Sequence, residues 1–297
     1  MKKAVPIEMP DGVKFSLMDI TITKASGQQE KFEVRKLVDS LVRSGAPSDI
    51  AAEIAQKVER LMPPLSHTKS IFRLAKKLLR QYNAVSGMKY SLKKALSALG
   101  PSGYPFEKYV ARILRSHGYD VEVDKIVAGY CVTHEVDVYA VKGDEHFVVE
   151  CKYHSNGGNP TDVKVALYIH SRFEDIRKAF DQNPAEENVS YQGLLVTNTR
   201  LTADAIKYAE CTGLGIMSWR YPAKESLEKM IEGRRLYPVT VLPAAGKKVL
   251  ESLLRNDIIL AQEIADMEEQ DFLRRSGLDA ATARTIKRQA DELCPCG

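Results

Sequence analysis

Residues 134–154, HEVDVYAVKGDEHFVVECKYH, hold two apolar runs of strand character, each broken by a carboxylate. Gly143-Asp144 between them is a hairpin signal. A symmetric turn there sets position 137 opposite position 150, and directly opposed antiparallel residues have Cβ atoms about 4.5–5.5 Å apart. Two carboxylates so placed repel each other, which a sheet built only for stability has no use for. A divalent cation reverses the sign. Mg2+ takes hard oxygen ligands, commonly one or two carboxylates, and keeps waters and phosphate oxygens in its remaining positions. Asp137 and Glu150 are therefore the candidate metal ligands. Lys152, two residues beyond Glu150, projects from the same face, where its ammonium can hold an activated water or steady charge developing on a phosphate. Val136, Val138, Val149 and Cys151 take the other face. The competing reading is an exposed hairpin edge with Glu135 and Lys152 as a cross-strand ion pair. The apolar run Phe147-Val148-Val149 leading into the motif favours a central strand instead.

Around this hairpin the expected order is α-β-β-β-α-β-α-β. A helix near 105–117 carries Phe106, Val110, Ile113 and Leu114 on one face. Strands follow at 119–127, 134–141 and 146–153, then a helix at 163–180, a strand at 193–197, a helix at 202–212 and a strand at 215–219. The fold class is α/β: a central mixed sheet flanked by helices. Gly100-Pro101-Ser102-Gly103 is a strong breaker and marks a domain boundary. Before it, a tail over 1–16 leads to a small helical domain over 17–100. That domain bears a β-hairpin, with alternating Ile20 and Ile22, a Ser26-Gly27 turn, then Phe32 and Val34. Its helices are expected at 34–44, 48–62, 68–83 and 90–99, with Ser48 as an N-cap. The sheet domain spans 104–220, the proline-punctuated stretch 221–242 suits an extended linker, and 243–297 forms an all-α module.

Asp137 followed by Glu150-Cys151-Lys152 resembles the signature of the PD-(D/E)XK nuclease superfamily. More narrowly, residues 104–219 resemble an Mrr-type (type IV) restriction endonuclease domain. That resemblance implies a sheet of restriction-endonuclease type and Mg2+-dependent hydrolysis of DNA phosphodiesters. It also implies a further acidic residue on the first helix, where Glu107 in YPFEKYVARIL stands. Many Mrr-like domains carry Gln at the place of Glu150, and Glu is the stronger metal ligand. His134 and His154 flank the motif and His170 lies on the following helix. Phosphate contact or proton relay competes there with a role as polar element ends.

Net charge is +4, but its distribution is uneven. Residues 1–100 carry 18 Lys and Arg against 9 Asp and Glu, while 101–242 carry 17 against 20. The first third should therefore face an anion. Its stretch ITKASGQQEKFEVRKLVDSLVRSG resembles the start of an ATP-cone. Lys24, Gly27, Glu30 and Lys36 occupy that family's positions, and Thr68 stands near the start of the matching third helical element. The resemblance implies ATP or dATP as regulatory ligand, with the lysines on the triphosphate beside a helix N-terminus. Lys24-Ala25 replaces the family's usual Lys-Arg pair. Arg73, Lys76, Lys77 and Arg80 share one helix face, open equally to DNA phosphates and to solvent.

The C-terminal stretch resembles helix-hairpin-helix modules, with a Ser276-Gly277-Leu278 turn and Asp279 capping the next helix. Backbone N–H groups there, with Arg284, Lys287 and Arg288, would hold a DNA phosphate. Docking onto protein is the alternative. Cys294-Pro295-Cys296 has no second pair to complete a zinc site and suits a free tail. Five cysteines, an odd number widely spread, fit a reducing cytoplasm. No eighteen-residue apolar run or signal peptide is present, so no membrane role is expected. These features together imply a nucleotide-gated DNA endonuclease of restriction or defence type, with an oligomeric or conformational state biased by nucleotide. The alternative is a non-catalytic (d)ATP-sensing DNA-binding regulator.

Overall fold

The computed structural model describes residues 21–24, 27–182 and 189–295. The expected tail over 1–16, and the readings at Ile20, Ser26 and Cys296, lie outside these residues. The chain divides into two units with the break between Ser91 and Leu92.

In the first unit, β1 (Thr21–Thr23) pairs antiparallel with β2 (Gln29–Lys31). Helices α1 (Val34–Arg43), α2 (Ser48–Leu61), α3 (Thr68–Tyr82) and α4 (Ala84–Lys89) follow. Leu37, Val38 and Leu41 of α1 meet Ala51, Ala55 and Val58 of α2 and Ile71, Ala75 and Leu79 of α3 in one core. Each set recurs at three- and four-residue spacing, which is why these segments are amphipathic helices. Ser48 is not the cap of α2. Pro47 holds that place with extended backbone, and Ser48 begins the helix.

The second unit begins with α5 (Leu92–Leu96). The helix expected over 90–99 is the shorter α5, α4 before it was not expected, and the boundary between the units precedes the Gly-Pro breaker. Next come α6 (Tyr104–Ser116), β3 (Asp120–Ala128), β4 (Thr133–Lys142), β5 (Glu145–Lys152) and α7 (Val163–Phe180). The strand β6 (Ser190–Thr197), the helix α8 (Ala203–Thr212) and the strand β7 (Gly215–Met217) complete the sheet. Its order is β3-β4-β5-β6-β7. The β3–β5 strands form an antiparallel meander, and β6 and β7 add in parallel through the crossover helices α7 and α8. This mixed sheet flanked by helices is consistent with a restriction-endonuclease fold.

Lys142 pairs with Glu145, leaving Gly143-Asp144 as a two-residue loop. Gly143 takes φ +60°, the backbone such loops demand at their first position. Alternate side chains of β5 then part to the two faces. Val148 packs with Tyr139 against Phe173 and Ile176 of α7, whereas Phe147 meets the Tyr119 ring edge-on just beyond α6.

Residues 221–242 are not an extended linker. They contain α9 (Leu227–Gly233) and a 3-10 turn at Val239–Val241. Leu227, Ile231, Leu236, Tyr237, Val239, Val241 and Leu242 are buried. The Tyr109 hydroxyl of α6 donates to the Leu236 carbonyl at 2.7 Å. The helices α10 (Lys247–Arg255), α11 (Ala261–Ala265), α12 (Glu269–Ser276) and α13 (Ala280–Leu293) follow. Arg112 of α6 binds Asp257 at 2.6 Å and Glu263 at 3.1 Å, fastening these helices to the sheet domain. Cys294 is buried, with its thiol 3.7 Å from the Arg235 carbonyl, so the C-terminal stretch is not a free tail at that residue. No helix among the described residues is long and apolar enough to cross a membrane.

Candidate active site

The β4–β5 ladder runs in register from Lys142–Glu145 to Val138–Val149. One step further, the same register sets Asp137 opposite Glu150. There the ladder gives way: Asp137 Oδ2 accepts the Cys151 backbone N–H at 2.6 Å. On the other side of β4, Val123 pairs with Val138 and Lys125 with Val136, which leaves Asp124 opposite Asp137. Asp124 has φ +55°, a left-handed conformation that Asp tolerates better than most residues. Three acidic residues therefore stand in one row across three strands. Sequence reading found two of them. Asp124 carries no signal of its own until the register of β3 is known.

Arg172 of α7 was also missed. Its guanidinium donates to Glu150 Oε2 at 2.5 Å and to the Glu135 carbonyl. Its charge opposes the rise of the Asp137 pKa as well, so both carboxyl groups lie within its field. Glu150 still titrates at about 7, because burial and the Asp137 charge outweigh Arg172 and Lys152. Asp137 is raised too, first by burial and, among its neighbours, by Asp124 and Glu135. Lys152 is exposed at the end of β5.

Glu107 lies in the first turn of α6, where a helix N-terminus favours the ionised form. Burial, then Asp137, Asp124, Glu150 and Glu135, push it to about 7 instead. A Cβ at Gly103 would come within 2.9 Å of Glu107 Oε1, which the flexible Glu107 side chain would have to turn aside to relieve. Tyr153, just past β5, ties down the segment before this helix: its one hydroxyl proton is shared between the Ser97 and Gly100 carbonyls, 2.8 and 2.9 Å away. Glu107, Asp137 and Glu150 are thus electrostatically one group.

No set of three or more His, Cys, Asp or Glu among the described residues is drawn together closely enough to hold a metal ion. Mg2+ does not require one, since one or two carboxylates suffice with waters and phosphate oxygens. Asp137 and Glu150 supply hard oxygens whose repulsion a cation relieves. The donor chemistry fits that ion.

Beyond Lys152 the backbone is pinned. Asn198 is fully buried. Its Oδ1 accepts the His154 N–H at 2.9 Å, and its Nδ2 donates to the His154 carbonyl at 2.8 Å. His154 Nε2 shares a 3.0 Å hydrogen bond with Thr161, whose hydroxyl meets those of Thr197 and Thr199. Burial and the Lys152 charge lower the His154 pKa. His134 binds Asp175 at 2.8 Å. His170 binds the Tyr208 hydroxyl at 2.9 Å and faces Glu174 at 3.5 Å. None of these histidine hydrogen bonds reaches Asp137, Glu150 or Lys152.

In the N-terminal unit, Glu30, Lys36 and Thr68 line one cavity of about 210 Å³. Phe72 and Tyr90, also in its wall, stack with ring centroids 4.9 Å apart. Lys24 and Gly27 are not among its lining residues. Lys24 pairs with Glu30 and Lys36 with Glu33, each at 2.6 Å, so both lysines have local carboxylate partners. Thr68 is the first residue of α3, preceded by His67 as cap. On the same helix Arg73, Lys77 and Arg80 are exposed, and Lys76 is half-buried.

At the C-terminal turn Gly277 adopts φ +65°, and Asp279 caps α13 through the Ala281 and Thr282 amides. Lys287 is held by the Ala265 carbonyl at 3.1 Å and Asp291 at 2.5 Å. Arg288 lies 3.8 Å from Glu292, and Arg284 is exposed. The expected phosphate cations at 287 and 288 therefore have partners within the module.

A family model for restriction endonuclease domains matches residues 100–219. Another, for AF1548-like C-terminal domains, matches residues 237–294. An uncharacterized protein of Archaeoglobus fulgidus is 35% identical over 184 residues, 62% of this chain and 99% of that protein. The crystal structure of the protein of unknown function AF1548 is similar with a TM-score of 0.55 and 34% identity, covering 65% of this chain and 98% of its own.

Proposed function

Since the chain belongs to the AF1548-like family and carries a restriction endonuclease domain over residues 100–219, we propose that it is an Mg2+-dependent DNA endonuclease of restriction or defence type. Asp137 and Glu150 hold the ion, Lys152 and Glu107 complete the site, and ATP or dATP on the N-terminal unit regulates it. The observation that carries this reading is the convergence of the Asp137 and Glu150 carboxyl groups in the field of one guanidinium, each with a raised pKa.

Mg2+ held by Asp137 and Glu150 would supply Lewis-acid activation of a water and charge neutralisation at the phosphate. The protein's own groups do the rest. Cys151 N–H fixes the orientation of the Asp137 carboxylate. The Lys152 ammonium, on the Glu150 face of β5, donates to the phosphate oxygen on which negative charge grows. Glu107, titrating at about 7, takes up or releases a proton at the pH where the reaction runs. Asn198 and Tyr153 keep the end of β5 from moving as these contacts form.

The cavity of the N-terminal unit is smaller than the roughly 300–1,000 Å³ of most small-molecule sites. It takes one part of a nucleotide, with phosphates toward Lys36 after that lysine leaves Glu33.

Plasmid cleavage with and without Mg2+ is the test. Wild-type protein should nick or cut DNA only with the ion, and Asp137→Ala and Lys152→Ala should both be inactive. Wild-type rates in both variants would end this reading. For the regulatory arm, ATP, dATP and ADP should change the melting temperature of wild-type protein but not of Lys36→Ala.

A further inference from the structure

Two of the five N–H groups of the Arg172 guanidinium are engaged, one by Glu150 and one by the Glu135 carbonyl. Glu150 is the carboxylate that the preceding reading gives to the metal. Arg172 sits at 2.5 Å on Glu150 Oε2, and a cation that takes this oxygen rather than Oε1 competes with the guanidinium for it. The guanidinium reaches Glu150 from α7, a different element from the strands bearing the acids. The exposed Tyr168 ring, 5.6 Å from its carbon, already makes a cation–π contact with it that does not depend on Glu150. Its fork of donors matches a phosphate as well as a carboxylate.

We propose that Arg172 is a further catalytic residue, one that neutralises Glu150 before the metal arrives and contacts the scissile phosphate after it. The proposal rests on the nuclease reading above. Glu150 thereby keeps a cationic partner in both states. Binding of DNA and metal is coupled through one side chain: the ion displaces Arg172 from Glu150, and the phosphate gives it a new anion.

The two halves of this exchange predict opposite signs for one substitution. In Arg172→Gln, Mg2+ no longer competes with a charge-assisted hydrogen bond, so calorimetric titration without DNA should show binding tighter by about tenfold or more. Single-turnover cleavage at saturating Mg2+ should be slower by about 10²–10³-fold, as when one donor to a developing oxyanion is lost. Arg172→Lys should move both readouts the same way but less, and it keeps the test in force should Arg172→Gln melt at the working temperature. A merely structural arginine would weaken both metal binding and cleavage. Weaker or unchanged Mg2+ affinity in these variants, or wild-type cleavage rates at saturating ion, overturns the proposal. A wild-type protein that never cleaves sinks the nuclease reading instead, and the metal titration then decides on the exchange at Glu150 by itself.

Discussion

Asp137 Oδ2 lies 2.6 Å from the Cys151 nitrogen, so a side chain of β4 does for β5 what a backbone carbonyl would do in an unbroken ladder. The carboxylate is both a candidate ligand and a structural acceptor, and two substitutions separate these roles. Asn at 137 retains an oxygen that accepts the N–H but loses the charge. Ala removes both and leaves the amide of a buried residue without its partner, at a cost of about 1–3 kcal/mol. Urea unfolding should therefore find Asp137→Asn near the wild-type midpoint and Asp137→Ala clearly below it, with both inactive on DNA. Equal midpoints for the two variants would contradict the acceptor role.

Glu107 and Glu150 each titrate at about 7 in the folded protein, above the unfolded value of about 4.3. Between those values the folded state binds more protons than the unfolded one. Stability must then fall as pH rises through this window and level off above about 7. Glu150→Gln removes one of the two groups and should flatten the slope. The same protons compete with Mg2+. The rise in melting temperature produced by the ion should be larger at pH 8 than at pH 6, and cleavage should climb through pH 7 to a plateau. An ion-induced shift that is independent of pH would mean that the ion binds elsewhere.

The register of the hairpin was legible because Gly143-Asp144 permits one tight turn, and a tight turn fixes every pairing behind it. The positions of α1, α2 and α3 were legible in the sequence, whereas the short α4 over Ala84–Lys89 was not. Arg172 was not legible. Along α7 it is one charged residue among several on a partly exposed helix, and only the crossover back over β5 brings it to Glu150, 22 residues away. Asn198 had a signal that went unread: Thr197, Asn198 and Thr199 follow directly on the buried pair Leu195-Val196, and polar residues in such company need partners. Residues 221–242 misled because prolines dominate the eye. Leu227 and Ile231, four apart, and the alternation of Tyr237, Val239 and Val241 were the marks of burial. At Lys24 and Lys36 the family resemblance points to a phosphate, while Glu30 and Glu33 nearby supply carboxylates at 2.6 Å.

Asp175 gathers the turn between β3 and β4. It accepts from the Cys131 and Val132 amides at 2.8 and 3.3 Å and from His134 at 2.8 Å. These bonds, His134 first, hold its pKa down at about 2. A depressed carboxylate stabilises the fold above its unfolded pKa and loses that contribution as pH falls toward its folded one. Wild-type stability should therefore drop between about pH 4 and pH 2. In Asp175→Asn this part of the acid transition should shrink while the melting temperature at pH 7 falls. Thermal melts across pH 2–7 check both, and an unchanged acid limb in the variant would show that the cluster is not what holds the turn.

Asn198 offers the last test, because it acts on the site without touching a reacting group. Its amide satisfies both backbone groups of His154 from a fully buried position, two residues past Lys152. In Asn198→Ala a donor and an acceptor lose their partners together, each loss costing about 1–3 kcal/mol, so a clear fall in unfolding free energy is expected. Asn198→Asp distinguishes geometry from volume. It is close in shape and keeps an acceptor for the His154 N–H, but the His154 carbonyl loses its donor and a charge is buried, so it should be no more stable than Ala. If the network positions Lys152, both variants should cleave DNA more slowly at temperatures where circular dichroism shows them fully folded. The loss should appear in the single-turnover rate while DNA affinity stays near wild type. Full rates in the folded Ala variant would reduce Asn198 to a purely structural residue.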